Sequence, residues 1–231
     1  MNFKDMEPEK KEKIVDYLSG FINEQRQALL KEVLAQRTRH LTVVLEDIYQ
    51  SQNASAVLRT CECLGIQECH VIENDHEYQL NPAVVQGAAK WIELYRYNEQ
   101  ANNSETCLEK LKDRGYNIVA MTLSEHAIPL SELEVNSKLA LCFGSEEPGL
   151  SDEIYELSDL KVRIPMHGFT QSFNLSVSAG ITLYLLRQKL VASDIPWQLD
   201  DAEKESLYIE WLAQSTPSGE ALLNKILREY E

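Results

Sequence analysis

The side chains best suited to handling a reacting group gather in residues 161–190, KVRIPMHGFTQSFNLSVSAGITLYLLRQKL, where Ser172, Asn174, Ser176 and Ser178 crowd the step from a strand into a helix. Hydroxyls and amides of this kind hold and orient a ligand by donating and accepting hydrogen bonds. Pro165 forbids continued strand pairing after Ile164. Ser172 or Asn174 can cap a helix starting near 174, with Leu175, Ser178, Ile181, Leu185 and Leu186 on one face. Glycine inside a helix costs about 1 kcal/mol relative to alanine, so Gly180 points to a close approach. Ser176, one turn away, would make a narrow groove with it. A strand end, a polar loop and a helix start with bare backbone is where α/β proteins bind nucleotide-like ligands, although an ordinary strand–loop–helix joint reads the same way. The second candidate is Arg59, about opposite the apolar face of its own helix. It is either a surface arginine paired with Glu62 or a group aimed at a partner surface.

Other chemistries are excluded or weakened by composition. The five histidines form no ligand or triad pattern, and no glycine-rich phosphate loop is present. The five cysteines lack paired zinc spacing; Cys61 and Cys63 give only a faint metal hint, and no metal is expected. Reduced thiols, a charged amino terminus unlike a signal peptide and the lack of a membrane-length apolar run imply a cytoplasmic protein that does not associate with membranes. The net charge of −15 argues against a general nucleic-acid binder. Screening confines fields to about 8 Å at physiological salt, so local charge decides phosphate binding. Basic residues collect at Lys10, Lys11, Lys13, Arg26, Lys31, Arg37 and Arg39, while acids accumulate after 190. This allows an RNA-binding amino-terminal extension or a plain solvated helix face.

The elements that must position these groups follow from periodicity. One or two amphipathic helices span 8–36, with Ile14, Leu18, Phe21, Ile22, Leu29, Leu30, Val33 and Leu34 as buried positions and Gly20 between them. The apolar run 41–48 reads as a buried parallel strand. A helix follows with Asn53 as its cap, Ala54, Val57, Leu58, Cys61 and Leu64 inward, and Gly65 closing it. Strands are expected at 68–73, 91–97, 116–123 and 139–144, a small-residue loop at 86–90, and helices at 104–114 and after Ser151. Gly144, Pro148 and Gly149 demand a tight turn. Added helices cover 200–214 and 218–231. Alternating strands and helices specify an α/β fold with a mainly parallel sheet and helices on both faces.

Three segments in order, NASAVLR at 53–59, LALCFGSEEPGLSDE at 139–153 and IPMHGFTQSFNLSVSAGITLY at 164–184, resemble the TrmH (SpoU) branch of the SPOUT RNA methyltransferases. The resemblance covers about 40–190. It implies a deep carboxyl-terminal trefoil knot, a rare exception to unthreaded chains, a homodimer with its active site at the subunit interface, and S-adenosylmethionine bound in the knot. It divides the chain into an amino-terminal helical extension with RNA contacts (1–39), the methyltransferase domain (40–191) and a carboxyl-terminal helical extension (192–231). Matched by motif, Arg59 is the catalytic arginine, accompanied by Asn53, Glu146, Ser172 and Asn174. Met121, Gly144, Ile164, Met166 and Phe173 surround the cofactor. The implied reaction is methylation of a ribose 2′-hydroxyl, first in the D-loop guanosine of tRNA and alternatively in ribosomal RNA. A non-catalytic RNA- or protein-binding relative with the same fold is the competing class. There are departures: Gln52 stands where histidine is frequent, Glu147-Pro148 where lysine is common, and only Arg187 and Lys189 remain basic at the end of the knot helix. Lys90-Trp91 keeps the family's look.

Overall fold

The structure, a computed structural model, describes residues 3, 6–85 and 87–228. The chain divides into two compact units, 38–197 and a second one built from 1–37 with 198–231.

In the first unit an α/β alternation lays down seven parallel strands: β1 (Leu41–Glu46), β2 (Glu68–Ile72), β3 (Glu93–Tyr97), β4 (Tyr116–Met121), β5 (Ile128–Pro129), β6 (Lys138–Phe143) and β7 (Leu160–Arg163). Their order in the sheet is β3-β2-β1-β6-β4-β7-β5. The central strands are buried on both faces, which explains their continuous apolar sequence. Alternation sorts the side chains into two cores. Val43, Leu45, Leu141 and Val119 join one core with helices α3 (Ser51–Cys63) and α7 (Leu175–Val191). Val44, Ala140, Cys142 and Ile118 face the other, with α5 (Asn103–Asp113) and α6 (Asp152–Leu157). The small α4 (Pro82–Val85) precedes the stretch read as a loop at 86–90, in which Ala88–Lys90 form a single helical turn and Gln86 lies outside the described residues. The two-residue β5 is too short for a periodic signal and was not foreseen.

The amino-terminal ends of the strands close around one carboxylate. Glu68, fully buried, accepts hydrogen bonds from Arg39 (2.5 Å), both oxygens from Arg114 (2.7 and 2.6 Å) and one from the Tyr116 hydroxyl (2.8 Å). Burial alone would raise its pKa. The neighbouring His70 ring, its Nε2 3.5 Å from Glu68 Oε1, and the Arg39 and Arg114 guanidiniums outweigh that and hold the carboxyl well below the usual carboxylate range.

The second unit consists of α1 (Pro8–Ser19), α2 (Glu24–Ala35), α8 (Asp201–Ser215) and α9 (Gly219–Arg228). Asn23 and Asp200 cap α2 and α8 by accepting from the Arg26 and Glu203 amides at 2.8 and 2.7 Å. Ile14, Leu18, Leu30, Leu34, Ile209, Leu212, Leu223 and Ile226 are buried where α8 meets α1, α2 and α9 and where α1 meets α9. Phe21 and Leu29, expected inside, are exposed, because α1 stops at Ser19 and the buried stripe of α2 runs through Leu30 and Leu34. The two flanks read as separate extensions thus make one helical unit, with its own core.

Much of the basic cluster is spent on structure. Lys11 is buried and pairs with Glu205 at 3.1 Å. Arg37, completely buried, lies 5.1 Å from the Trp211 ring. In the sheet unit Arg39 bridges Glu68 and Glu93. Arg187 is buried with its guanidinium 3.8 Å from the Trp197 ring, and Lys189 donates to the Ser131 and Leu133 carbonyls.

Candidate active site

At the carboxyl-terminal ends of the strands the loops after β4, β6 and β7 converge on a cavity of about 350 Å³, within the range of small-molecule sites. The loop after β6 makes a tight turn. A Cβ on Gly144 would fall 2.2 Å from the Gly149 carbonyl carbon and 2.3 Å from the Leu150 nitrogen, so only glycine lets the loop fold back on itself. Gly149 has φ of 95°, again a glycine conformation, and the Glu147–Pro148 bond is cis. The far end of this loop is clamped by Glu46, at the end of β1. Its carboxylate, 2% exposed, accepts from the Ser151 amide (2.8 Å), the Ser151 hydroxyl (2.7 Å) and the Ser104 hydroxyl (2.6 Å). Nothing in the periodicity singled out Glu46. The available signal was one acid ending an otherwise apolar buried run.

Glu146 projects from this loop into a cluster of amides. Asn53 donates to Glu146 Oε1 at 2.6 Å and to Gln50 Oε1 at 3.1 Å. Asn174 donates to Asn53 Oδ1 at 3.1 Å and to Glu146 Oε1 at 3.3 Å. Asn174 is also the cap of α7, its Oδ1 accepting from the Ser176 amide at 2.9 Å. Asn53 does not cap α3 as expected: the helix starts at Ser51, and the Asn53 side chain is drawn to the carboxylate instead. Three residues from separate segments are therefore joined directly.

Met121, Gly144, Glu146, Ile164, Met166, Ser172 and Phe173, all expected at the site, line the cavity. Thr122, Leu123 and Tyr155 line it too, and no motif marked them. Glu146 is the one charged residue in the lining among the described residues. Such a surface mixes apolar side chains with the hydroxyls of Thr122, Ser145, Tyr155, Ser172 and Ser178 and a single carboxylate, and suits a ligand with both apolar and hydrogen-bonding parts that carries positive charge.

Arg59 is not brought to this cavity within one chain. It is exposed on α3, whose inward face carries Ala54, Val57, Leu58 and Cys61. Cys61 is buried and Cys63 exposed, so the two thiols face different environments.

Helix α7 departs from its predicted face. Its inward stripe is Leu175, Ala179, Leu183, Leu186 and Leu190, rotated from the expected one. Ile181 instead joins Val177, Tyr184 and Val191 in an exposed apolar stripe. A Cβ added to Gly180 would meet nothing within 4 Å, so the close approach expected there does not occur within the chain. Among the described residues no helix is long and apolar enough to cross a membrane.

Comparison with known proteins matches residues 40–184 to the SpoU rRNA methylase family. A tRNA (guanosine(18)-2′-O)-methyltransferase of Borreliella burgdorferi is 43% identical over 93% of this chain and 96% of its own. One of Aquifex aeolicus with the same name is 34% identical over 74% of this chain and 78% of its own. The crystal structure of an A. aeolicus TrmH/SpoU tRNA-modifying enzyme superposes with a TM-score of 0.66 at 29% identity, covering 89% of this chain and 96% of that one. The AviRb methyltransferase of Streptomyces viridochromogenes, solved with its cofactor AdoMet, shares the fold at 21% identity and a TM-score of 0.58, over 70% of this chain and 62% of that one.

Proposed function

This chain belongs to the SpoU rRNA methylase family, and from that premise we propose that it transfers a methyl group from S-adenosylmethionine to the ribose 2′-hydroxyl of guanosine 18 in tRNA. The observation that carries the reading is the joining of Asn53, Glu146 and Asn174 at the mouth of the cavity. Relatives that share almost the whole chain bear the name of this reaction. The cavity suits the cofactor: its volume admits a small molecule, and its lone carboxylate favours a cationic sulfonium. Met121, Gly144, Ile164, Met166 and Phe173 would hold it. When bound, the sulfonium supplies an already activated methyl group, so the protein needs no acid to help the leaving group depart.

What remains for the side chains is to place a weakly acidic hydroxyl in line and manage its proton. Orientation of this kind can supply about 7–11 kcal/mol. Ser172 and the Asn53–Glu146–Asn174 cluster present donors and acceptors that fix the ribose. Arg59 completes the site from a second copy, which accounts for its outward position on α3. A guanidinium is a poor base, so its role is to polarise the hydroxyl and grip the neighbouring RNA phosphate, which takes up the hydroxyl proton as the O–C bond forms; a planar bidentate fork does this better than an ammonium. The exposed Val177–Ile181–Tyr184–Val191 stripe of α7 fits a twofold contact between copies. The carboxyl-terminal part is threaded as a trefoil knot. In support, β7, last in sequence, is inserted between β4 and β5, and the loops after β4, β6 and β7 meet at one cavity. No metal takes part, and the thiols are kept reduced in the cytoplasm.

The test is to incubate the protein with methyl-labelled S-adenosylmethionine and separated tRNA and ribosomal RNA, then map the labelled ribose. Label at guanosine 18 of tRNA is expected. Label confined to ribosomal RNA would move the substrate, and no label despite cofactor binding would leave a non-catalytic binder.

A further inference from the structure

An exposed aromatic pair flanks the site, outside every motif considered so far. Tyr49 is 77% exposed, on the loop between β1 and α3. Its ring packs edge to face with that of His76, 5.4 Å between centroids and 78° between planes. His76 is itself exposed, so the pair is not an outlying piece of the core. It is held in place by Asp47, at the end of β1 with φ of 48°. One carboxylate oxygen of Asp47 accepts the amides of Asn74 (2.8 Å), Asp75 (2.9 Å) and His76 (3.2 Å), fastening the loop after β2 to the loop after β1. The next residue after Tyr49, Gln50, accepts from Asn53, which in turn reaches Glu146. A large flat ring is thus presented to solvent one residue from the polar cluster, on a loop anchored by three hydrogen bonds.

On the reading of the site as an RNA ribose methyltransferase, we infer that Tyr49, backed by His76, is a stacking platform for an unpaired nucleobase of the substrate RNA. Two observations favour an RNA base over a phosphate. Single-stranded RNA is read by splaying bases onto aromatic rings, which gains affinity independently of charge. In this chain the cations Lys11, Arg37, Arg39 and Arg187 are committed to internal partners, so these four are not offered to phosphate. Asp47 is the positioning residue of the platform.

The experiment measures binding of fluorescein-labelled unmodified tRNA by anisotropy for the full chain, with Tyr49→Leu, Tyr49→Phe, Tyr49→Trp and Asp47→Ala. A single-turnover methylation assay runs in parallel. Tyr49→Leu is expected to weaken tRNA binding about ten-fold or more, whereas Phe and Trp hold it within about two-fold of wild type. Asp47→Ala is expected to fall between them. Equal binding by the Leu and Phe variants would overturn the platform. If wild type binds tRNA but transfers no methyl group, the reaction assigned above fails while the Tyr49 series still decides the stacking. Failure of wild type to bind tRNA would overturn both.

Discussion

Glu68 and Glu146 stand at opposite ends of the same parallel sheet, and the protein treats the two carboxylates in contrary ways. Glu68 is wholly buried at the start of β2, with two guanidiniums and a phenol directed at it. Glu146 lies on a loop beyond β6, with neutral amides as its partners and an open cavity beside it. At the first end every acceptor position is taken and the charge is fixed. At the second the acceptors are shared with groups that also have capacity for a ligand. Saturated electrostatics make a brace; unsaturated polar groups beside a cavity make a site.

The largest effect separating the two ends is expected at the brace. Glu68→Ala should cost about 3–5 kcal/mol, since it breaks a buried charged network, taking from Arg114 its carboxylate and leaving Arg39 with Glu93 alone, measured by urea denaturation. Methyl transfer per folded molecule should be unchanged. The pH dependence has a definite sign. The folded-state pKa of Glu68 is depressed below the unfolded value of about 4.3. Its stabilisation is therefore complete above that value and is lost as pH falls through the folded one. The stability gap between wild type and Glu68→Gln should be constant from neutral pH down to about 5 and shrink below about 4. A gap that widened on acidification would contradict the brace.

At the other end, Arg59→Ala should slow single-turnover methylation about 10²–10³-fold, as removing an oriented donor does elsewhere. Its effect on folding should stay within about 0.5 kcal/mol, as for other exposed positions. Arg59→Lys should recover little of the rate; near-normal turnover would sink the role given to its planar fork. Gly144→Ala also acts at the cavity end, because its Cβ has no room beside Gly149 and Leu150. It should destabilise by about 1–3 kcal/mol and weaken cofactor binding in calorimetry. Unchanged binding would show that the turn does not shape the cavity.

The sheet was legible because buried parallel strands write themselves as continuous apolar runs, as in 41–46 and 139–143. The cap of α7 and the helix after Ser151 were legible from local hydrogen-bonding chemistry. What stayed hidden depended on partners distant in sequence. Asn53 has the side chain of a cap, and only the carboxylate of Glu146, 93 residues away, diverts it. The inward face of α7 could not be fixed because the helix is apolar nearly all round, so periodicity gave no single direction. Glu46 and Glu68 looked like ordinary strand acids until Ser151 and Arg114 came within reach. The cavity motifs were legible through the family resemblance, whereas Thr122, Leu123 and Tyr155 carried no local mark.

The inward commitment of Lys11, Arg37, Arg39 and Arg187 has a kinetic consequence. With those cations interior and a formal net charge of −15, a polyanion diffusing towards the molecule meets a repulsive far field and receives little steering. Added electrolyte shortens the range of that repulsion. Encounter with RNA should then quicken, or at least hold steady, as ionic strength rises, the reverse of the usual behaviour of basic RNA-binding surfaces.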